Sequence, residues 1–222
     1  MAARKPLSRE FVLATAVGMA DREGIERLSM RRLASELGVV PMALYKHVAN
    51  KEALLGAMAD AVIEEIEPAA AGPWKDAVRA RVMSARRVML AHPWAAAVIA
   101  SRGGPSPIAL THMDSVAATF LAGGVSPHLT HQAMHALGSR LWGFNLEVFG
   151  SAPPDDPAGA AAALGEAFPH VLRVALAAQH DPAGIVGQGC DDQFEFEFGV
   201  DVLLDGIERL HTQGWPSVTP AA

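Results

Sequence analysis

Apolar residues in this chain return every three or four positions almost from end to end, while the two-residue alternation of strands is nearly absent, which restricts the fold to packed helices. Ser8 is placed to cap a first helix whose apolar face is Phe11, Val12, Ala16, Val17 and Ala20, and Gly24 ends it. Met30, Leu33, Ala34 and Leu37 stripe a second, short helix that opens after Ser29 and stops at Gly38. Pro41 suits the first position of a third helix, because its missing N–H and fixed φ cost nothing there, and the spacing carries that helix to about His47. Asn50 caps a fourth that runs to Pro68, and residues 69–73 form a hinge. From Trp74 onward the spacing predicts five or six more helices, separated at His92-Pro93, Arg102–Pro105, Gly123-Gly124, 150–157 and 181–192. Phe194, Phe196 and Phe198 alternate as in a strand, but Val200, Leu203, Leu204, Ile207 and Leu210 continue at helical spacing. The segment is assigned to a helix, since a lone strand has no partner for its backbone groups.

Length allows one large domain or a small head on a larger body. No apolar run reaches the roughly 18 residues that span a bilayer, and Met1 to Ser8 lacks the apolar middle of a secretory signal, so a soluble cytoplasmic protein is expected. The single cysteine, Cys190, excludes an internal disulfide and a cysteine-based zinc site. Net charge is −6, yet it is unevenly spread. Through residue 51 there are nine Lys/Arg against five Asp/Glu, and thereafter nine against nineteen. A basic head on an acidic body favours phosphate contact at one end only.

Two short helices joined by a glycine-containing turn, the second opening on small residues, meet the requirements of a helix-turn-helix. Pro41, Met42 and Ala43 then form the tip that enters the major groove, with Met42 and Ala43 offering apolar contact to a thymine methyl. Tyr45, Lys46, His47 and Lys51 supply donors to phosphates, which position the protein without reading sequence. Arg31 has the fork geometry to take a guanine edge, whereas Arg32 reads equally well as a solvated charge. The run Leu28–Leu54, with Ala43-Leu44-Tyr45-Lys46-His47-Val48 followed by Asn50-Lys51-Glu52-Ala53-Leu54, closely resembles the DNA-binding head of the tetracycline-repressor family. The resemblance implies base or groove contacts for Arg31, Pro41, Met42 and Tyr45, and phosphate contacts for Ser29, Lys46, His47 and Lys51.

Two further stretches, Arg102–Pro107 and Asp192–Gly206, resemble the body of the subgroup nearest the tetracycline repressor. What this implies is an all-α protein: a three-helix head (1–50), a connecting helix (51–68), and a ligand-binding and dimerising bundle (69–222). It implies a homodimer built from the helix Ser126 to Phe149 and the last helix, about 192–213, with Leu203, Leu204 and Ile207 at the two-fold interface. The implied partners are a double-stranded operator and a small-molecule inducer, the alternative being a DNA-binding regulator without one. A cavity between the bundle and the helices from Trp74 to Gly123 is expected to be lined by Met83, Arg87, Met113, Trp142, Asn145 and Phe149, which mix apolar bulk with polar ends. Tetracycline repressors hold the drug's magnesium with a histidine shortly before the proline of the first stretch. Here Val98, Ile99, Ala100 and Ser101 stand there instead, so Glu147, in the matching carboxylate setting, lacks its companion and magnesium-tetracycline is not expected to be the inducer. His128, His131 and His135 share a helix face at metal-compatible spacing, but they read as surface or interface residues. No nucleophile-and-base motif joins them to Asp114 or Glu147, so neither an enzyme nor a resident metal or cofactor is expected.

Overall fold

The computed structural model describes residues 6–143, 156–178 and 192–215, and these are helical with no strand. In the head, α1 (Arg9–Glu23) is capped by Ser8, whose Oγ accepts from the Phe11 amide at 3.2 Å. It buries Val12, Ala16, Met19 and Ala20 and closes at Gly24, where φ is 85°. A short 3₁₀ turn (Ile25–Arg27) leads to α2 (Met30–Glu36), capped by Ser29 through the Arg32 amide at 3.2 Å. Gly38 sits at φ 63°, where an L side chain is strained, and its amide bonds the Ser35 carbonyl while that of Val39 reaches back to Ala34. This paired 5→2 and 6→1 closure stops α2 and turns the chain into α3 (Pro41–Leu44). The third helix is shorter than its spacing suggests. Its last turn is pinned where the amides of His47 and Val48 both bond the Leu44 carbonyl, and buried Leu44 and Val48 anchor the loop to the core.

Helix α4 (Lys51–Glu64) is capped by Asn50, whose Oδ1 accepts from the Ala53 amide at 2.7 Å. It ends before Pro68, earlier than expected. The amides of Glu65 and Ile66 bond carbonyls three residues back, a tightened last turn, and the Glu67 amide leaves the helix for Ser84 Oγ at 3.0 Å. The residue preceding a proline resists helical geometry, which forbids a smooth continuation to Pro68. Leu54, Met58, Ala59 and Val62 on α4 are fully buried, and one apolar core joins them to α1, α2 and Leu44 on one side. On the other it continues into Val88 and Met89 of α5 (Trp74–Ala91) and into Trp94, Ala95 and Val98 at α6 (Ala95–Ala100). The non-helical stretch after α4 is therefore crossed by a continuous core.

Helix α7 (Pro107–Ala122) is capped by Ser106, and it packs along α5. Gly123 follows because a Cβ there would lie 2.3 Å from the Trp74 indole, which stacks at 5.4 Å on Phe120. The helix α8 (Pro127–Gly143) covers the described part of the span expected to reach Phe149; residues 144–149 lie outside the described residues.

Residues 6–134 and 210–215 belong to one compact unit, and the described residues of 135–209 to a second. The second contains α9 (Pro157–Ala167), α10 (Pro169–Ala178) and most of α11 (Asp192–Thr212). Seven helices thus lie from Trp74 onward among the described residues, where five or six were expected, because one segment breaks at Phe168-Pro169. Phe168 is held away from helical backbone angles by the proline that opens α10. On α11 the Phe alternation resolves as a helix with two apolar sides. Phe196, Val200, Leu204 and Ile207 are buried, whereas Phe194, Phe198 and Val202 are exposed. The expectation that Leu203, Leu204 and Ile207 form the two-fold interface is corrected for two of the three: Leu204 and Ile207, only 1% and 6% exposed, are buried within their own chain, and Leu203 is half-buried.

Candidate nucleic-acid interface

The tip made by α2 and α3 exposes what a folded surface ordinarily hides. Val40, Met42 and Tyr45 are 67%, 72% and 47% exposed, while Leu44 among them is fully buried and holds the helix to the core. An apolar set held outward on a rigid, glycine-turned helix is suited to the floor of a groove. Pro41 is exposed and Ala43 half-buried beside them.

Around this tip the structure sorts the basic residues into two sets. Arg22 pairs with Glu36 at 3.1 Å, and Arg32 bonds both Glu23 and the Arg27 carbonyl, tying α1, the 3₁₀ turn and α2 together. Arg32 is thus a structural tie rather than a free surface charge. Arg31, Lys46 and Lys51 are exposed and make no hydrogen bond or ion pair among the described residues. His47 is half-buried, and Ser29 uses its oxygen as the α2 cap while its hydroxyl hydrogen remains to donate. The predicted contact residues therefore share one continuous stretch of the head, with free cations flanking an apolar tip.

Polar ties connect α1 and α4 to the helices behind them. Asp60 on α4 accepts from Arg102 Nη1 and from Ser106 Oγ, each at 2.7 Å, so the stretch Arg102–Pro107 is clamped to α4. His92, at the end of α5, bonds Asp21 of α1 at 2.8 Å and Glu65 of the α4 terminus at 3.2 Å. The Trp94 indole donates to the same Asp21 oxygen at 2.7 Å. Burial alone disfavours the charged His92 ring, but its bonds and attraction to the two carboxylates outweigh that, and its pKa is raised.

Of the six residues expected to line a ligand cavity, four lie within the described residues. Met83 is half-buried on α5, but Arg87 points to solvent and pairs with Glu67 at 3.1 Å, with both side chains more than half exposed. Met113 and Trp142 are 46% and 44% exposed, and Asn145, Glu147 and Phe149 lie outside the described residues. His131 and His135 are exposed on α8, while His128 accepts from the Trp215 indole at 3.2 Å. Among the described residues no three His, Cys, Asp or Glu side chains converge as a metal site would require.

Sequence spacing missed a polar group inside the α5–α7 interface. Arg81, only 8% exposed, donates to Ser115 Oγ at 2.7 Å and to His112 Nδ1 at 3.0 Å. Burial first, and then the Arg81 charge, depress the His112 pKa to about 4.

Comparison with known proteins bears on both ends of the chain. Residues 12–58 match the family of bacterial regulatory proteins called the tetR family, and residues 67–211 match the tetracyclin repressor-like C-terminal domain. An HTH-type transcriptional regulator of Saccharopolyspora erythraea is 34% identical, over 91% of this chain and 86% of that protein. The HTH-type transcriptional repressor DrrR1 of Streptomyces coeruleorubidus is 30% identical, over 93% of this chain and 79% of that protein. Among solved structures, the Streptomyces coelicolor TetR family protein ActR in complex with (S)-DNPA superposes with a TM-score of 0.71. It is 28% identical and covers 93% of this chain and 100% of its own.

Proposed function

The chain belongs to the tetracycline-repressor family of DNA-binding transcriptional regulators, and from that premise we propose that it is a cytoplasmic homodimeric repressor, released from a palindromic operator by a small molecule. The observation that carries this reading is the outward set Val40, Met42 and Tyr45 flanked by unpaired Arg31, Lys46 and Lys51. Met42 and Ala43 take the groove floor and Arg31 a guanine edge, while Ser29, Tyr45, Lys46, His47 and Lys51 hold phosphates. Two such heads must meet half-sites about 34–36 Å apart, or a multiple of that, which requires a second copy of the chain. The exposed residues Phe194, Phe198 and Val202 of α11 offer the apolar face for it.

Ligand response is supported by the small molecule bound to the related ActR and by the ties that run from the head to α5, α6 and α7. A ligand shifts such a protein only by favouring one head arrangement over another. The Asp60–Arg102 clamp and the His92 bonds are the contacts through which a displacement of α5 or α7 reaches α4 and α1. No helix of the described residues is long and apolar enough to cross a membrane. The test is operator binding by fluorescence anisotropy. Cooperative binding to a two-half-site palindrome, lost on a single half-site, is expected; equal affinity for both would refute the dimeric reading.

A further inference from the structure

Arginine is rarely buried unless an acidic group accompanies it, because removing a guanidinium from water costs more than neutral hydrogen bonds return. Arg81 breaks that pattern. Of its five donors one serves a serine hydroxyl and one a neutral imidazole, and its Nε is buried with no acceptor at all. His112 must be neutral here, since Nδ1 accepts from the guanidinium. The acidic residues of the two helices, Asp76 and Asp114, are exposed and make no bond to it. Burial is the one influence that depresses the Arg81 pKa, and no carboxylate opposes it. The interface between α5 and α7 therefore holds one net positive charge that the described protein does not neutralise.

Apolar side chains lie farther along the same two helices. Trp74 and Val78 stand two turns and one turn before Arg81 on α5, and Phe120 stands two turns after His112 on α7. A buried cation with a spare donor, set two turns along the same helices from a pair of packed aromatic rings, can receive a flat organic anion.

We propose that Arg81, with His112 and Ser115, binds the anionic oxygen of a small aromatic ligand, a carboxylate or ionised phenol, between α5 and α7. This rests on the ligand-responsive reading above and adds the ligand's chemical class. The anion takes the unused Nε–H and a neighbouring N–H side by side, the paired geometry in which arginine binds carboxylates best.

The test uses the full-length protein and two matched pairs, benzoate with benzamide and 2-naphthoate with 2-naphthamide, titrated by calorimetry at pH 7.5. The amides keep the shape and lose the charge. At least a tenfold preference for the carboxylates is expected in the unaltered protein, and its disappearance in Arg81→Met. Equal affinity within both pairs, or a preference that survives Arg81→Met, overturns the proposal. A measurement without substitution accompanies it: 2-naphthoate should raise the His112 pKa, followed by NMR, because the ligand neutralises the adjacent charge. An unmoved His112 overturns it as well. Operator binding separates the two levels of inference. A carboxylate that binds through Arg81 yet leaves the operator complex intact upholds the anion site and removes induction through it. Release by the amides as readily as by the carboxylates upholds induction and removes the anion site.

Discussion

Arg31 and Arg81 both lack a carboxylate among the described residues, and the difference between them lies in water. Arg31 stands on the surface of α2, where its missing partner costs nothing because solvent hydrates it until a polyanion displaces that solvent. Arg81 is enclosed between α5 and α7, where the same lack is a standing penalty. A free surface cation thus points to a large partner that comes to the protein, and a buried one to a small partner that goes inside it.

The contrast of inside with outside can be broken most severely on α11. Leu204→Glu places a charge where the side chain is 1% exposed and should cost more than about 4 kcal/mol, seen as loss of helical circular dichroism. Phe198→Glu, on a side chain 64% exposed, should keep the fold while shifting sedimentation toward the monomer. A folded Leu204→Glu protein would return Leu204 to the interface. Next in size, Arg31→Ala should lose about 1–3 kcal/mol of preference at a single base pair, measured over an operator substitution series. Equal weakening at every position would remove Arg31 from base reading.

Within the pair of arginines, Arg81→Met should raise stability by about 1 kcal/mol or more, while Arg31→Met should stay within about 0.5 kcal/mol, judged by urea midpoints. If both variants are equally neutral, burial of Arg81 carries no penalty. Lys51→Ala is smaller still. It should weaken all sequences alike and lower the salt slope of binding by about 0.9, one phosphate contact.

The smallest effects are those of the two tied histidines, and their signs are opposite. His92 has a raised pKa, so its stabilisation is complete below the ordinary value of 6.5 and fades as pH rises through the elevated folded value. His112 falls from 6.5 to about 4, so its site is at full stability above 6.5 and loses it as pH drops toward 4. Melting temperatures from pH 4 to 9 should show His92→Gln flattening the alkaline side and His112→Gln the acid side. A His92→Gln profile that still falls on the alkaline side would detach that dependence from the Asp21 and Glu65 contacts.

Much of the head was legible because its determinants are local. Ser8, Ser29 and Asn50 cap amides three residues away, and Gly38 closes a turn through bonds that span only six residues. The break at Phe168-Pro169 is equally local, set by the restriction a proline places on its predecessor, although apolar spacing by itself runs through it. The end of α3 was harder, because only the anchoring of Leu44 and Val48 in a core shared with α1 and α4 stops the turn there.

Sequence alone determined that the chain is helical, where most helices begin, and which residues make up its basic, small-residue tip. Tertiary structure decided which members of each set face inward. Helix α5 carries Arg79, Arg81, Arg86 and Arg87 within nine positions, and spacing drew attention to Arg87, which pairs with Glu67 in solvent, rather than to Arg81, which lies against α7. On α11, too, period alone marks two apolar sides, and neither says which is core. A cap needs only its own few neighbours, but burial is a property of what packs against a helix, and that partner lies tens of residues away.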